Sequence, residues 1–304
     1  ALDDTAGGTP TGGGRTDAEI YGVPTVTPLI AQRADPCITP RIAGRYYFTG
    51  SVPEYDRIAV RGAETIAGLS TATESVVWRR PTSGRMGGHI WAPELHRIDG
   101  RWYIYFAAGD AGNVFRIRMY VLESALADPT DPAGWVLRGQ VATEWDSFSL
   151  DATTFEHRRR RYLVWAQSEP EISVNSSLYI AELASPLALA GKPVRITTPT
   201  RGWETQGYKV NEGPAVLVRN GRVFLTFSAR ATDALLAIDI PETAKALRQV
   251  VNLAQLVQSH ALSFFHLSSP DWILGYDADP ARRNVLGLAE VRPELARQGI
   301  RLRQ

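Results

Sequence analysis

The sequence predicts an all-β chain, a five-bladed β-propeller with four antiparallel strands per blade, and three observations carry that reading. A short apolar strand, a polar turn and an aromatic-rich strand recur five times, at a spacing of roughly 50 to 60 residues. Each such hairpin is followed by a second apolar pair with a variable polar connection, which brings the repeat to about four strands. The 304 residues, 44% hydrophobic and 21% charged, divide into five units of about 60. Units of this kind bury one sheet face against the next. A β-sandwich with fortuitous spacing is the alternative.

Residues 1–15, rich in Gly, Thr and Pro, bury little and read as a flexible N-terminal segment, which leaves 16–304 for a single propeller domain. The aromatic strands follow in order as Arg45-Tyr-Tyr-Phe-Thr, Arg101-Trp-Tyr-Ile-Tyr-Phe, Arg161-Tyr-Leu-Val-Trp, Arg222-Val-Phe-Leu-Thr-Phe and Asp271-Trp-Ile-Leu-Gly-Tyr. The next strand of each unit begins at Arg57-Ile-Ala-Val, Arg118-Met-Tyr-Val-Leu, Leu178-Tyr-Ile-Ala, Leu235-Leu-Ala-Ile and Val285-Leu-Gly-Leu. Pro241 to Gln258 departs from the pattern, with helix formers and apolar residues at helical spacing; its first part reads as a short helix inserted in the outer hairpin of blade four.

Composition narrows the function classes. With 33 basic and 32 acidic residues the formal charge is +1, which offers no broad field for nucleic acid or anionic lipid. No apolar run approaches the roughly 20 residues that span a bilayer, so no membrane partner is expected. Cys37 is the only cysteine and excludes an internal disulfide. The opening Ala-Leu-Asp-Asp carries neither an initiator methionine nor a signal segment, which fits a trimmed secreted chain, extracellular or periplasmic, with a cytoplasmic one left open.

In a propeller every innermost strand starts at the same mouth of the central channel. Counting back about nine positions from the five inner turns lands at or near Asp35, Trp91, Asp151, Glu212 and His260. The three carboxylates sit in apolar or aromatic settings, where acids are rarely placed without a partner. Convergent carboxylates of this kind suit glycoside hydrolysis, in which one acid protonates the leaving oxygen and another activates water. The connections between second and third strands should return to that mouth, bringing Tyr55, Arg116, Gln167, Asn175 and Arg283 towards it. Trp91 offers either a flat apolar face to a sugar ring or a packed core tryptophan. The run Arg158 to Arg161 falls on an inner turn and reads as solvated.

These segments resemble glycoside hydrolase family 43. The likeness runs from about Leu29 to Asp233 and is carried by Arg33-Ala-Asp-Pro, Ser51-Val-Pro-Glu-Tyr-Asp-Arg-Ile, His89-Ile-Trp-Ala-Pro-Glu-Leu, Asp99-Gly-Arg-Trp-Tyr-Ile-Tyr-Phe-Ala-Ala, Trp145-Asp-Ser-Phe-Ser-Leu-Asp and Val210-Asn-Glu-Gly-Pro. The second and third are most similar to the branch of exo-acting α-L-arabinofuranosidases. The resemblance implies a propeller and an inverting hydrolase that releases terminal α-L-arabinofuranose from arabinan or arabino-oligosaccharides. It implies Asp35 as general base, Glu212 as general acid, and Asp151 as the carboxylate that orients that acid and tunes its pKa. Trp91, Tyr55, Gln167, Asn175, His260 and Arg283 are the expected sugar contacts, with the arginine contact open between Arg282 and Arg283. Nearest competitors are β-xylosidase and endo-α-1,5-arabinanase activity, and the alternative of another class is a non-catalytic carbohydrate-binding propeller. No cofactor is required; a Ca²⁺ or other cation on His260 is the one metal the resemblance admits, although Ala261 and Leu262 replace the polar residues expected after it. The partner implied is an arabinose-containing plant polysaccharide, and the chain is expected to act as a monomer.

Overall fold

A computed structural model describes residues 29–229 apart from 203, 206, 220 and 221. Within them the chain is all-β, built from consecutive antiparallel sheets. The first contains β1 (Ala34–Ile38), β2 (Tyr46–Ser51), β3 (Arg57–Ala63) and β4 (Ser75–Arg79), and the second β5 (Ile90–Ile98), β6 (Arg101–Asp110), β7 (Asn113–Ser124) and β8 (Trp135–Gln140). In the third, β9 (Ser149–His157), β10 (Arg160–Gln167) and β11 (Ser177–Ser185) follow in order, with β12 (Ala188–Leu189) and β13 (Val194–Thr197) both pairing β11. A fourth sheet is the hairpin of β14 (Asn211–Arg219) and β15 (Arg222–Ala229). Strands expected at Arg45, Arg101, Arg161 and Arg222 are β2, β6, β10 and β15, and those at Arg57, Arg118 and Leu178 lie in β3, β7 and β11. The strands expected at Leu235, Asp271 and Val285, and the helix expected within Pro241 to Gln258, lie outside the described residues.

The same inner turn recurs. Ala43-Gly44, Asp99-Gly100 and Arg158-Arg159 all take left-handed φ values, 47° and 83°, 50° and 80°, 51° and 64° respectively. Two consecutive left-handed residues make the turn whose twist matches the flanking strands. In the third sheet two exposed arginines occupy it without glycine, at a backbone cost of about 1 kcal/mol each.

Alternation along β6 shows how neighbouring sheets share a core. Trp102, Ile104 and Phe106 pack towards the first sheet with Tyr47, Ile58 and Val60. Tyr103 and Tyr105 face the other way and pack with Leu163, Trp165 and Tyr179 of the third. A strand buried on both faces must be apolar at every position, which is why Trp102 to Ala108 reads as one unbroken apolar run. Each large buried side chain contributes on the order of 2 kcal/mol. A third cluster, with Ala107, Leu150 and Ala166 at its centre, lies under Trp91 and Phe148.

Candidate active site

Each innermost strand slips register once. The slip falls between Ala34 and Cys37 in β1, Trp91 and Glu94 in β5, Leu150 and Thr153 in β9, and Glu212 and Ala215 in β14. The first extra residue is left-handed every time: Asp35 at φ 48°, Ala92 at 45°, Asp151 at 57° and Gly213 at 58°. The second is Pro36, Pro93, Ala152 or Pro214. Proline has no N–H to offer a ladder, so it belongs at such a bulge. The repeat therefore places Asp35 and Asp151 at one bulge position and Trp91 and Glu212 at the position before it, two adjacent tiers instead of the single ring that counting suggests.

The bulge amides bind the carboxylates of the preceding sheet. The N–H of Gly213 donates to Asp151 Oδ2 at 2.8 Å. Between the first and second sheets, the Ser51 hydroxyl donates to Asp35 Oδ2 at 2.7 Å and itself accepts from the N–H of Ala92 at 2.7 Å. Asp35 keeps an open face to solvent although enough protein surrounds it for burial to raise its carboxyl.

Burial pushes all three carboxyls up. Glu212 reaches about 7, with the charge of Asp35 adding to the effect of burial. Asp151 rises well above its ordinary range through burial, then through the charges of Glu212 and Asp35, against which the Gly213 amide works. Asp35 is raised by burial, held back by the Ser51 hydroxyl and the Ala92 amide, and pushed up by the charge of Glu94. Carboxyls pushed up by burial and by one another's charge retain a proton near neutrality, on Glu212 up to about pH 7.

An aromatic cluster stands beside them. Trp91 stacks on His89 at 5.0 Å and meets Tyr55 edge-on at 5.9 Å, while Phe115 stands edge-on to His89 at 5.6 Å. The Tyr55 carbonyl accepts from the N–H of Ile90 at 3.0 Å, which ties its loop to the start of β5. The structure thus brings Tyr55 and Trp91 together as expected. It adds Phe115, which is 63% exposed, and His89, whose Nδ1 is buried without a partner among the described residues. Burial and the charge of Arg80 favour the neutral imidazole of His89. Both lay within reach of the sequence: His89 opens the segment that carries Trp91, and Phe115 precedes Arg116.

Gln167 does not fit the sugar contact expected of it, and Asn175, although exposed, already spends its Oδ1 on the backbone. Gln167 is fully buried, with Nε2 donating to Thr143 Oγ1, the Trp145 carbonyl and Ser147 Oγ at 2.8, 2.9 and 3.0 Å, and Oε1 accepting from Trp165 Nε1 at 2.8 Å. Its amide is saturated by the loop that delivers β9 and Asp151. Asp146 of that loop is gripped by Arg118, Nε to Oδ1 at 2.6 Å, with Arg116 at 3.5 Å on its other oxygen. Asn175 accepts from the N–H of Lys209 at 2.9 Å and its own N–H donates to the Lys209 carbonyl at 2.8 Å, which pins the segment entering β14 just ahead of Glu212. Both side chains position a carboxylate's strand. Nothing in residue type distinguishes an amide that binds sugar from one that binds backbone.

His260 and Arg283, and with His260 the expected cation, lie outside the described residues. Among the described residues no group of three or more His, Cys, Asp or Glu side chains is placed to hold a metal ion.

Two likenesses to known proteins divide the chain. The family Glycosyl hydrolases family 43 matches residues 26–251. An extracellular exo-alpha-(1->5)-L-arabinofuranosidase from Streptomyces chartreusis is 57% identical over 210 residues, 69% of this chain and 64% of that protein. The crystal structure of an alpha-L-arabinofuranosidase from Lactobacillus brevis is 52% identical and superposes with a TM-score of 0.65 over 68% of this chain and 66% of its own. The chain spans between 43% and 64% of the length of four curated arabinofuranosidases that it matches. A second family, Nickel-dependent hydrogenase, matches residues 222–287. An F420-non-reducing hydrogenase polypeptide from Methanocaldococcus jannaschii is 38% identical over 123 residues, 38% of this chain and 29% of that protein. The stretch 222–287 holds both His260 and Arg283. It contains no cysteine and so brings no thiolate to a nickel centre.

Proposed function

Because this chain belongs to glycosyl hydrolases family 43, we propose that it is an inverting exo-α-L-arabinofuranosidase that releases terminal arabinofuranose from arabinan or arabino-oligosaccharides. The observation that carries the reading is the set of three carboxyls at in-phase bulges, each raised by its surroundings, with Asp35 keeping a face to solvent and Glu212 protonated up to about pH 7. Asp35 takes the proton of the attacking water as its oxygen bonds to the anomeric carbon. The glycosidic C–O bond breaks on the opposite face, and its oxygen receives the proton of Glu212. Asp151 holds the Gly213 amide, and through it the strand position next to Glu212. Trp91, with Tyr55 beside it, gives the furanose a flat wall. The ring closes with five blades, the protein is secreted and acts as a monomer on a plant polysaccharide, and no cofactor takes part.

Glu212→Gln removes the acid. Hydrolysis of an arabino-oligosaccharide should fall by roughly 10² to 10⁴-fold, with less loss on an aryl arabinofuranoside whose leaving group needs no proton. Early products followed by NMR should be monomeric arabinose of inverted configuration; a ladder of oligomers would mean an endo enzyme, and retained configuration would overturn the roles given to Asp35 and Glu212. A second reading, a propeller that binds arabinose oligomers without turnover, is favoured by one observation: the stretch expected to supply His260 and Arg283 matches a different family. Calorimetric binding of arabinotriose without released arabinose would select it.

A further inference from the structure

Ser51 sits at a position where the other sheets show what packing alone requires. It pairs with Ala34, just ahead of the β1 bulge. At the matching places Ala107 pairs with Trp91, Ala166 with Leu150, and Ser228 with Glu212. A methyl group therefore satisfies this site in the second and third sheets, and the hydroxyl of Ser51 is an addition to it. Ser51 is buried, 3% exposed.

Its two bonds explain the addition. At the interface between the third and fourth sheets, the bulge amide of Gly213 reaches the bulge carboxylate of Asp151 directly. Between the first and second sheets, Ser51 stands between the equivalent partners: it accepts from the Ala92 amide and donates to Asp35 Oδ2, each at 2.7 Å. A hydroxyl accepts and donates at once, so it can join an N–H to a carboxylate; alanine can do neither. We propose that Ser51 is the positioning residue of the general base, a relay that fixes one oxygen of Asp35 against the bulge of the neighbouring sheet and leaves the other oxygen for water. The catalytic meaning of this clamp rests on the arabinofuranosidase reading; the clamp itself rests on the hydrogen bonds.

The relay favours the ionised form of Asp35, because the hydroxyl donates to it. Ser51→Ala fits sterically, as Ala107 and Ala166 show, and takes away the hydroxyl donor, which leaves Asp35 the Ala92 amide alone of the two. On an aryl arabinofuranoside, the acidic limb of the kcat/KM profile should move up by about one pH unit. At pH values below that limb kcat should fall about tenfold, with KM changed less than twofold. Unfolding by urea gives a readout independent of turnover: Ser51→Ala should cost more at pH 8, where Asp35 is ionised, than at pH 4, and this pH dependence should vanish in an Asp35→Asn background. An unmoved acidic limb together with a cost equal at both pH values would overturn the proposal and leave Ser51 a packing residue. A wild-type chain that releases no arabinose, yet shows the pH-dependent cost of Ser51→Ala, would overturn the arabinofuranosidase reading and uphold the clamp.

Discussion

Glu212 shows how far a single carboxyl depends on its surroundings. In water it would be ionised at neutral pH and useless as an acid. Desolvation, with the charge of Asp35 added, keeps its proton up to about 7. The pH profile of kcat/KM on an arabino-oligosaccharide should accordingly fall on its basic side with a midpoint near 7, the pH at which Glu212 gives up that proton. An activity constant to pH 9 would remove Glu212 from the role of acid. Asp151, also raised by burial, has its geometric role through the Gly213 amide. Gly213 in turn has φ 58°, a conformation in which a side chain is strained, and an added Cβ would stand 3.0 Å from Ser228 Oγ.

At the scale of elements, the bulge is the device that matters. Strands in regular alternation send successive side chains to opposite faces, so Glu212 and the residue after it would part company. The extra residue in each inner strand re-aims the chain and lets two adjacent tiers serve one mouth. Such irregular backbone needs holding. Arg33 and Arg61 meet on Glu74, at 2.6 and 3.1 Å, and anchor the chain two residues before Asp35. Although burial works against its charge, those arginines hold the Glu74 carboxyl below its usual range. Gln167 does the same for the loop ahead of Asp151. Replacing it by leucine strands the buried Trp165 Nε1 and takes a donor from the loop at Thr143, Trp145 and Ser147, so the urea midpoint should drop by an amount equivalent to about 1 to 3 kcal/mol. A residue that merely touched sugar would raise KM and leave the midpoint where it was.

For the whole molecule, the same carboxyls set the pH dependence of stability. Asp35, Asp151 and Glu212 are all raised in the fold, so the folded chain binds more protons than the unfolded one from about pH 4 upward. Their contribution is complete below the unfolded values and is lost as pH rises through the folded ones, which for Glu212 means about 7. Stability against urea should fall by about 1 to 3 kcal/mol between pH 5 and pH 8, and Glu212→Gln should flatten that slope. His89, whose imidazole burial and Arg80 hold below its usual range, works against this slope at the acidic end of the window. Much of this architecture was legible in the residues themselves. Aromatic strands from Arg45, Arg101, Arg161 and Arg222 form where the repeat puts them, because side-chain alternation and two-residue turns are local properties of sequence. The candidate acids were legible too, since Asp35, Asp151 and Glu212 recur in phase with those turns. Other features depend on who stands opposite whom. Periodicity counts residues, and a bulge adds one without changing composition, so the two tiers were invisible until strands paired. Gln167, Asn175 and Ser51 are chemically equal candidates for touching a sugar. Only the packed sheets decide that the first two hold strands and that the third grips Asp35, because a hydrogen bond goes to whichever partner folding brings within 3 Å.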